Sequence, residues 1–144
     1  MLQLIYSSAA TVTFSASDLR ELLAFARNNN RSLDVTGMLL YQDGSFLQVL
    51  EGESEAVLSL YTKIEKDKRH SNIKLLLRKD IEEREFSEWS MGFFDATRTA
   101  RNQGEGFVDF FSTATSTDPE EGRAKKALHQ FKEGAWRQRV NVKD

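Results

Sequence analysis

The stretch Val35-Thr36-Gly37-Met38-Leu39-Leu40-Tyr41, Gln42-Asp43-Gly44, Ser45-Phe46-Leu47-Gln48-Val49-Leu50-Glu51 decides the fold. Two apolar runs flank Asp-Gly, a dipeptide that accepts the left-handed backbone of a tight hairpin, so they predict two antiparallel strands. Apolar residues at both odd and even positions imply a sheet covered on both faces. Gln48 breaks the pattern. Alternation places it between Phe46 and Leu50, while Leu47 and Val49 keep the opposite face apolar. A buried amide must find hydrogen-bond partners or cost about 1–3 kcal/mol. On pattern alone, satisfaction by neighbouring backbone is the commoner outcome. Tyr6 is an alternative partner if the N-terminal strand lies beside the Gln48 strand.

Working outward, Leu2 to Ser7 alternates in a way that suits a first strand. Leu19, Leu22, Leu23 and Ala26 follow at helical spacing, with Ser17 or Asp18 as a cap. That helix is expected to end in Asn28-Asn29-Asn30, with Asn30 as its C-cap. After the hairpin, Val57, Leu60, Tyr61 and Ile64 repeat the helical spacing, Asn72 to Leu77 reads as a fourth strand, and Trp89 to Asp95 as a fifth. The order βαββαββ is an α+β, ferredoxin-like mixed sheet with two helices on one face. The other face then needs a cover. Phe107, Phe110 and Phe111, followed by Asp118-Pro119-x-Glu121 and a stripe of Ala124, Ala127, Leu128 and Phe131, predict C-terminal helices there. Residues 1–96 form the expected core, and 97–144 an extension packed on the sheet within the same domain.

The 144-residue length suits one domain. Twenty Lys plus Arg against 22 Asp plus Glu, interspersed along the chain, give a net charge of −2. No basic stripe is present to displace counterions, so nucleic acid is not an expected partner. The absence of cysteine excludes zinc ribbons, iron–sulfur clusters, thiol nucleophiles and thiolate addition to a flavin. Two distant histidines, His70 and His129, make no metal site. Gly37 and Gly92 lack the clustering of a phosphate loop. The Glu51-Gly52-Glu53-Ser54-Glu55 cluster reads as carboxylates complementing a helix N-terminus. The N-terminal residues lack a secretory pattern, and no apolar run approaches the roughly 18 residues of a membrane span, so a cytoplasmic protein is expected.

Leu4-Ile5-Tyr6-Ser7-Ser8, Val35 to Tyr41, Phe46 to Gly52, Asp67-Lys68-Arg69-His70 and Trp89-Ser90-Met91, in this order, resemble the BLUF family of blue-light sensors using flavin. The resemblance runs through roughly the first 95 residues. It implies a flavin held between the two helices, with FAD the expected form and FMN or riboflavin the alternatives. It implies that Tyr6 donates an electron, that Gln48 relays the proton and ends with its amide rotated or tautomerised, and that Asn30 bonds the ring edge. Arg69 and His70 match a pair near the other end of the flavin, and Trp89 and Met91 match fifth-strand residues that relay the signal. Asp34 departs from the glycine found in many members, and it is expected to adopt the same left-handed turn. The implied protein is a photoreceptor without catalytic output, homo-oligomeric and signalling to an unidentified protein. In that reading Phe107, Phe110, Phe111 and Trp136 serve as packing or interface residues.

Two other classes use such a scaffold. A cofactor-free interaction module that binds RNA needs exposed sheet aromatics and a basic surface. A small enzyme, either a flavin-dependent oxidoreductase or an acylphosphatase-like hydrolase, needs room for substrate or an oxyanion loop, and no such loop is seen. Colour separates the module from the sensor, and flavin reduction by a nicotinamide cofactor separates the enzyme.

Overall fold

The hairpin forms as its sequence predicts. In the computed structural model β2 (Thr36–Gln42) and β3 (Ser45–Gly52) pair antiparallel from Gln42 opposite Ser45 to Thr36 opposite Glu51, and Gly44 takes φ +83° in the turn. The model describes residues 1–12, 14–42, 44–86, the backbone of 92–95, and residues 126, 127, 130 and 131. Gly37 lets the two strands approach: a Cβ there would lie 1.9 Å from the Val49 carbonyl oxygen.

Around this pair, β1 (Leu2–Ala10) lies antiparallel to β3, β4 (His70–Asp80) lies antiparallel to β1, and β5 (Gly92–Asp95) runs parallel to β2. The strand order is β4-β1-β3-β2-β5, a ferredoxin-like α+β mixed sheet. The register of β4 on β1 shifts on either side of Tyr6 and Ser7, and Asn72 takes φ +53° near the second shift. Such bulges bend an edge strand around its neighbour.

Helices α1 (Ala16–Leu33) and α2 (Ser54–Glu65) cover one face. The apolar cluster beneath them takes Leu2, Leu4 and Tyr6 from β1, Leu39 and Tyr41 from β2, and Phe46 and Leu50 from β3. The alternate residues Gln3, Ile5, Met38, Leu40, Leu47, Val49 and Glu51 face the other way and are buried as well. Lys126, Ala127, Gln130 and Phe131 are helical, and Ala127 and Phe131 are buried. The remainder of the predicted C-terminal helices, including Phe107, Phe110, Phe111, Leu128, His129 and Trp136, lies outside the described residues.

Several boundaries differ from the sequence expectation for physical reasons. The α1 cap is Ser15, whose hydroxyl accepts the Asp18 N–H at 3.0 Å while the Asp18 carboxylate accepts the Ser15 N–H at 3.0 Å. This reciprocal capping box starts the helix two residues before Asp18. At the other end α1 runs through the asparagines to Leu33, and Asp34 supplies the left-handed cap at φ +54°. Asn30 is therefore an inward-facing helix residue and not the C-cap. The fourth strand exceeds its apolar stretch because pairing with β1 extends into the polar ends His70-Ser71 and Arg78-Lys79-Asp80.

Candidate functional site

A cavity of about 250 Å³ opens between α1, α2 and the sheet. Its apolar lining includes Leu22, Phe25 and Ala26 from α1, Leu39 and Phe46 from the hairpin, and Leu60 and Ile64 from α2. The polar lining is Tyr6, Asn29, Asn30, Gln48, Lys63, Asp67, Arg69 and His70. Phe14, Tyr41 and Phe46 stack edge-on or tilted beside it, with ring centroids 4.9–6.1 Å apart. Such aromatic contacts make a rigid apolar wall.

The floor of the cavity is a row across the sheet: Tyr6 pairs with Gln48 and Gln48 with Leu39. The Tyr6 hydroxyl donates to the Gln48 Oε1. Both side chains are buried, Tyr6 at 3% and Gln48 at 6% exposure. The buried amide thus has the tyrosine partner that the strand order allowed. With Oε1 accepting, the amide's donor end is Nε2. Burial pushes the Tyr6 phenol far above its usual range, with the Tyr61 and Asp67 charges adding to the rise, so it stays neutral. Tyr61 stands at 5.6 Å between ring centroids and His70 at 6.2 Å. Burial also raises the Tyr61 phenol.

Asn30 enters from the last turns of α1 and is 2% exposed. Its carbonyl accepts the Val35 N–H at 2.9 Å, which ties the turn of α1 to the start of β2. At the α2 side, Arg69 binds Asp67 through Nε at 3.0 and 3.1 Å and through Nη2 at 2.5 Å. The hydrogen bonds from Arg69 hold the Asp67 carboxyl below the usual carboxylate range, and the same contact raises the guanidinium. His70 is held at both ring nitrogens, Nδ1 by the Ser8 hydroxyl at 2.8 Å and Nε2 by the Ile64 carbonyl at 2.7 Å. The carbonyl can only accept, so Nε2 carries a proton. His70 is half-buried at the start of β4.

Of the residues singled out in the sequence, the cavity brings together Tyr6, Asn30, Gln48, Arg69 and His70. Trp89 and Met91 lie outside the described residues. Sequence reasoning missed Lys63, Asp67 and Phe25 as lining residues. Lys63 lies off the apolar stripe of its helix, yet a charged stem on that border still reaches the cavity. Phe25 is 72% exposed at the mouth, an unusual place for a large aromatic and a signal in itself.

The geometry suits a flat aromatic group with one polar edge: apolar walls on either side and a few buried hydrogen-bonding side chains that converge. An isoalloxazine ring has that form, and Tyr6, Asn30 and Gln48 are buried polar side chains that border the cavity. Among the described residues no group of His, Asp and Glu is arranged to hold a metal, and no helix is long and apolar enough to cross a membrane.

Comparison with known proteins agrees. Residues 1–92 match the model of the BLUF family, sensors of blue-light using FAD. The photoactivated adenylate cyclase subunit beta of Euglena longa is 39% identical over 89 residues, 61% of this chain and 10% of the subunit. The blue light- and temperature-regulated antirepressor BluF of Escherichia coli is 37% identical over 92 residues, 64% of this chain and 23% of that protein. The chain therefore spans only a small part of these relatives. Among solved structures, BlsA in its photo-activated state has a TM-score of 0.65 at 30% identity, covering 98% of this chain and 99% of that one. Klebsiella pneumoniae BlrP1 with FMN and cyclic diGMP has a TM-score of 0.74 at 30% identity, covering 93% of this chain and 35% of that one. With the fold, the cavity and the match over residues 1–92 in agreement, the chain belongs to the BLUF family of blue-light sensors that bind flavin.

Proposed function

We propose that this chain is a photoreceptor in which Tyr6 and Gln48 perform the primary response, and that the direct hydrogen bond from the Tyr6 hydroxyl to Gln48 Oε1 at the floor of the cavity carries that reading. A bound flavin supplies blue-light absorption and, once excited, an acceptor for one electron. Tyr6 is the donor. It is neutral and buried, so loss of an electron makes its hydroxyl proton strongly acidic. The hydrogen bond to Gln48 Oε1 is the path that proton follows. An amide protonated on oxygen would pass a proton from nitrogen to the group that took the electron. Return of one electron and one proton to Tyr6 would leave the amide tautomerised or rotated, which alters what its other end offers the cavity. No covalent bond to the protein is formed. Asn30 holds the ring edge, while His70 and Arg69 frame the opposite end.

FAD is the proposed cofactor. Asp67 pairs with Arg69 in the lining, so Lys63 supplies the positive charge that suits a phosphate-bearing tail, which favours FAD or FMN over riboflavin. The exposed Phe25 at the mouth favours a tail that carries a second aromatic ring. In this reading residues 1–96 are the sensor, Trp89 and Met91 within them relay the response, and 97–144 are the extension that passes it to another protein. A cytoplasmic homo-oligomer is the state in which this is expected to act.

The test is the absorption spectrum of purified protein in the dark, directly after blue light, and after dark recovery. A flavin spectrum with a small reversible red shift supports the reading. A flavin that only bleaches overturns the Tyr6–Gln48 switch, and colourless protein after reconstitution overturns the cofactor.

A further inference from the structure

Three residues beyond Gln48 on β3, Glu51 is fully buried on the opposite face of the sheet. It lies on the strand, so it complements no helix N-terminus, which is the part its sequence neighbourhood suggests. Its Oε2 accepts the Glu85 N–H at 2.9 Å and Gln3 Nε2 at 3.0 Å, and its Oε1 accepts the Phe86 N–H at 2.8 Å. The same Gln3 nitrogen donates to the Glu85 carboxylate at 3.1 Å. A carboxylate can only accept, and every one of these partners donates to it, so both oxygens of the buried group are satisfied. The Gln3 Oε1 is buried without a hydrogen-bond partner among the described residues.

The clasp belongs to a larger fastening. Arg84 donates to the Thr36 hydroxyl at 3.0 Å and to the Asp34 carbonyl at 2.8 Å, and the Ile81 N–H donates to the Met1 carbonyl at 2.8 Å. The connection after β4 is thereby tied to the beginnings of β1 and β2 and to the end of β3. None of Gln3, Glu51, Arg84, Glu85 or Phe86 lines the cavity. That connection leads to β5, where Phe93 pairs with Leu39, and Leu39 pairs with Gln48. Strand β5 is thus joined to the Gln48 strand twice, sideways through β2 and lengthwise through Glu51.

We infer that Glu51 is a positioning residue of the light response: by gripping the Glu85 and Phe86 backbone it makes the segment entering β5 follow β3, and so passes a rearrangement at Gln48 to β5. This rests on the flavin-sensor reading above. Because the clasp lies on the far face, its loss uncouples the two ends of the path without disturbing the flavin.

The experiment is hydrogen–deuterium exchange of flavin-loaded protein in the dark and under blue light, read in peptides covering residues 81–95, with absorption measured on the same samples. The parent protein is expected to show a light-dependent difference there. Glu51→Gln is expected to keep flavin occupancy and the reversible red shift while that difference falls at least three-fold. A role confined to stability raises exchange equally in dark and light and leaves the difference intact, which overturns the inference, as does a parent without any difference. If Glu51→Gln does not fold, Glu51→Asp keeps the charge and shortens its reach, so the carboxylate no longer holds the Glu85 and Phe86 N–H groups together. The light-dependent difference then falls about two-fold, and an unchanged value overturns the inference. A parent protein that shows no reversible red shift overturns the sensor reading itself, an outcome distinct from a normal red shift with an unaffected Glu51→Gln.

Discussion

The two faces of the sheet each bury a polar cluster, and they use it in opposite ways. On the helix face, Tyr6, Gln48 and Asn30 border a cavity, so their polar atoms meet space that a ligand can take. On the far face, the Glu51 carboxylate accepts two backbone N–H groups and the Gln3 amide, which also donates to the Glu85 side chain, so both Glu51 oxygens are held. Both clusters include β3 residues that stand three positions apart. The difference is between an amide arranged to change its hydrogen bonds and a carboxylate arranged to keep them. A neutral amide presents a donor and an acceptor that rotation exchanges, whereas a carboxylate fixed by several donors has no equivalent alternative. Under the proposed switch, a local exchange at Gln48 acts on a strand that Glu51 ties to the Glu85 and Phe86 backbone.

The largest expected effect tests whether the far face is a structural clamp only. Phe86 is 1% exposed beside the Glu51 clasp. Phe86→Ala should cost about 3–5 kcal/mol of stability, as for other large-to-small changes in a packed core. The reversible red shift of whatever protein remains folded should persist, because the cavity is untouched. Urea titration gives the first quantity and difference spectroscopy the second. Loss of the shift at full flavin occupancy breaks the separation between the faces.

The helix face should show the inverse. Tyr6→Phe removes one buried hydrogen bond and should cost about 1–3 kcal/mol, the usual range for leaving a buried acceptor unpaired. The photochemical shift should vanish entirely, and Gln48→Leu should abolish it as well with flavin retained. A normal shift in either variant refutes the wiring. Tyr6 also predicts an alkaline limb. Its folded phenol is raised above the ordinary value of 10.0, so the unfolded chain releases a proton that the folded chain keeps. Stability is full below that value and falls as pH rises above it. Tyr6→Phe should flatten this limb in unfolding titrations.

How much of this was legible in the sequence depends on what kind of group each residue bonds. Gln48 stands out because bulky apolar residues flank it at both the adjacent and the alternate positions, and Tyr6 stands out once the strand order places β1 beside β3. Glu51 gave no such signal. Its neighbours Gly52 and Glu53 make it read as the approach to a helix, and two of its three donors are backbone N–H groups 34 and 35 residues away. Every residue but proline carries such a donor, so no side-chain pattern marks it. Asn30 was ambiguous for a related reason. Asparagine suits both a helix end and a buried site, and only the left-handed Asp34 shows where the helix stops. The hairpin and both helices were legible because periodicity and the Asp-Gly turn act over short range. The full length of β4 was not, since its polar ends are held by the backbone ladder to β1.

A smaller effect sharpens the account of the cavity. Asn30→Ala removes one buried polar contact beside the ring edge, worth about 1–2 kcal/mol. Flavin should be held roughly 5- to 30-fold less tightly by that difference, with an altered dark spectrum. Equilibrium dialysis against free flavin measures the first. Unchanged affinity and spectrum remove the Asn30 side chain from the proposed ring contact, since its backbone carbonyl bond to Val35 is the same in both variants.

The smallest effect lies where the cavity meets solvent, and it contrasts the exposed ion pair with the buried clusters on both faces. Arg69 and Asp67 are in contact, yet their side chains remain 50% and 33% exposed. Water screens such a pair, so Asp67→Asn should cost less than about 1 kcal/mol. Arg69 holds the folded Asp67 below its ordinary value of 3.8, so the pair's contribution is present above that value and is lost as pH falls through the lowered folded one. Between pH 6 and pH 3 the parent should therefore lose slightly more stability than Asp67→Asn, and urea midpoints across that range should converge. A gap that widens on acidification reverses the sign and shows that Asp67 opposes folding at neutral pH, as an acid pressed against the rim of a cavity for a phosphate-bearing ligand would.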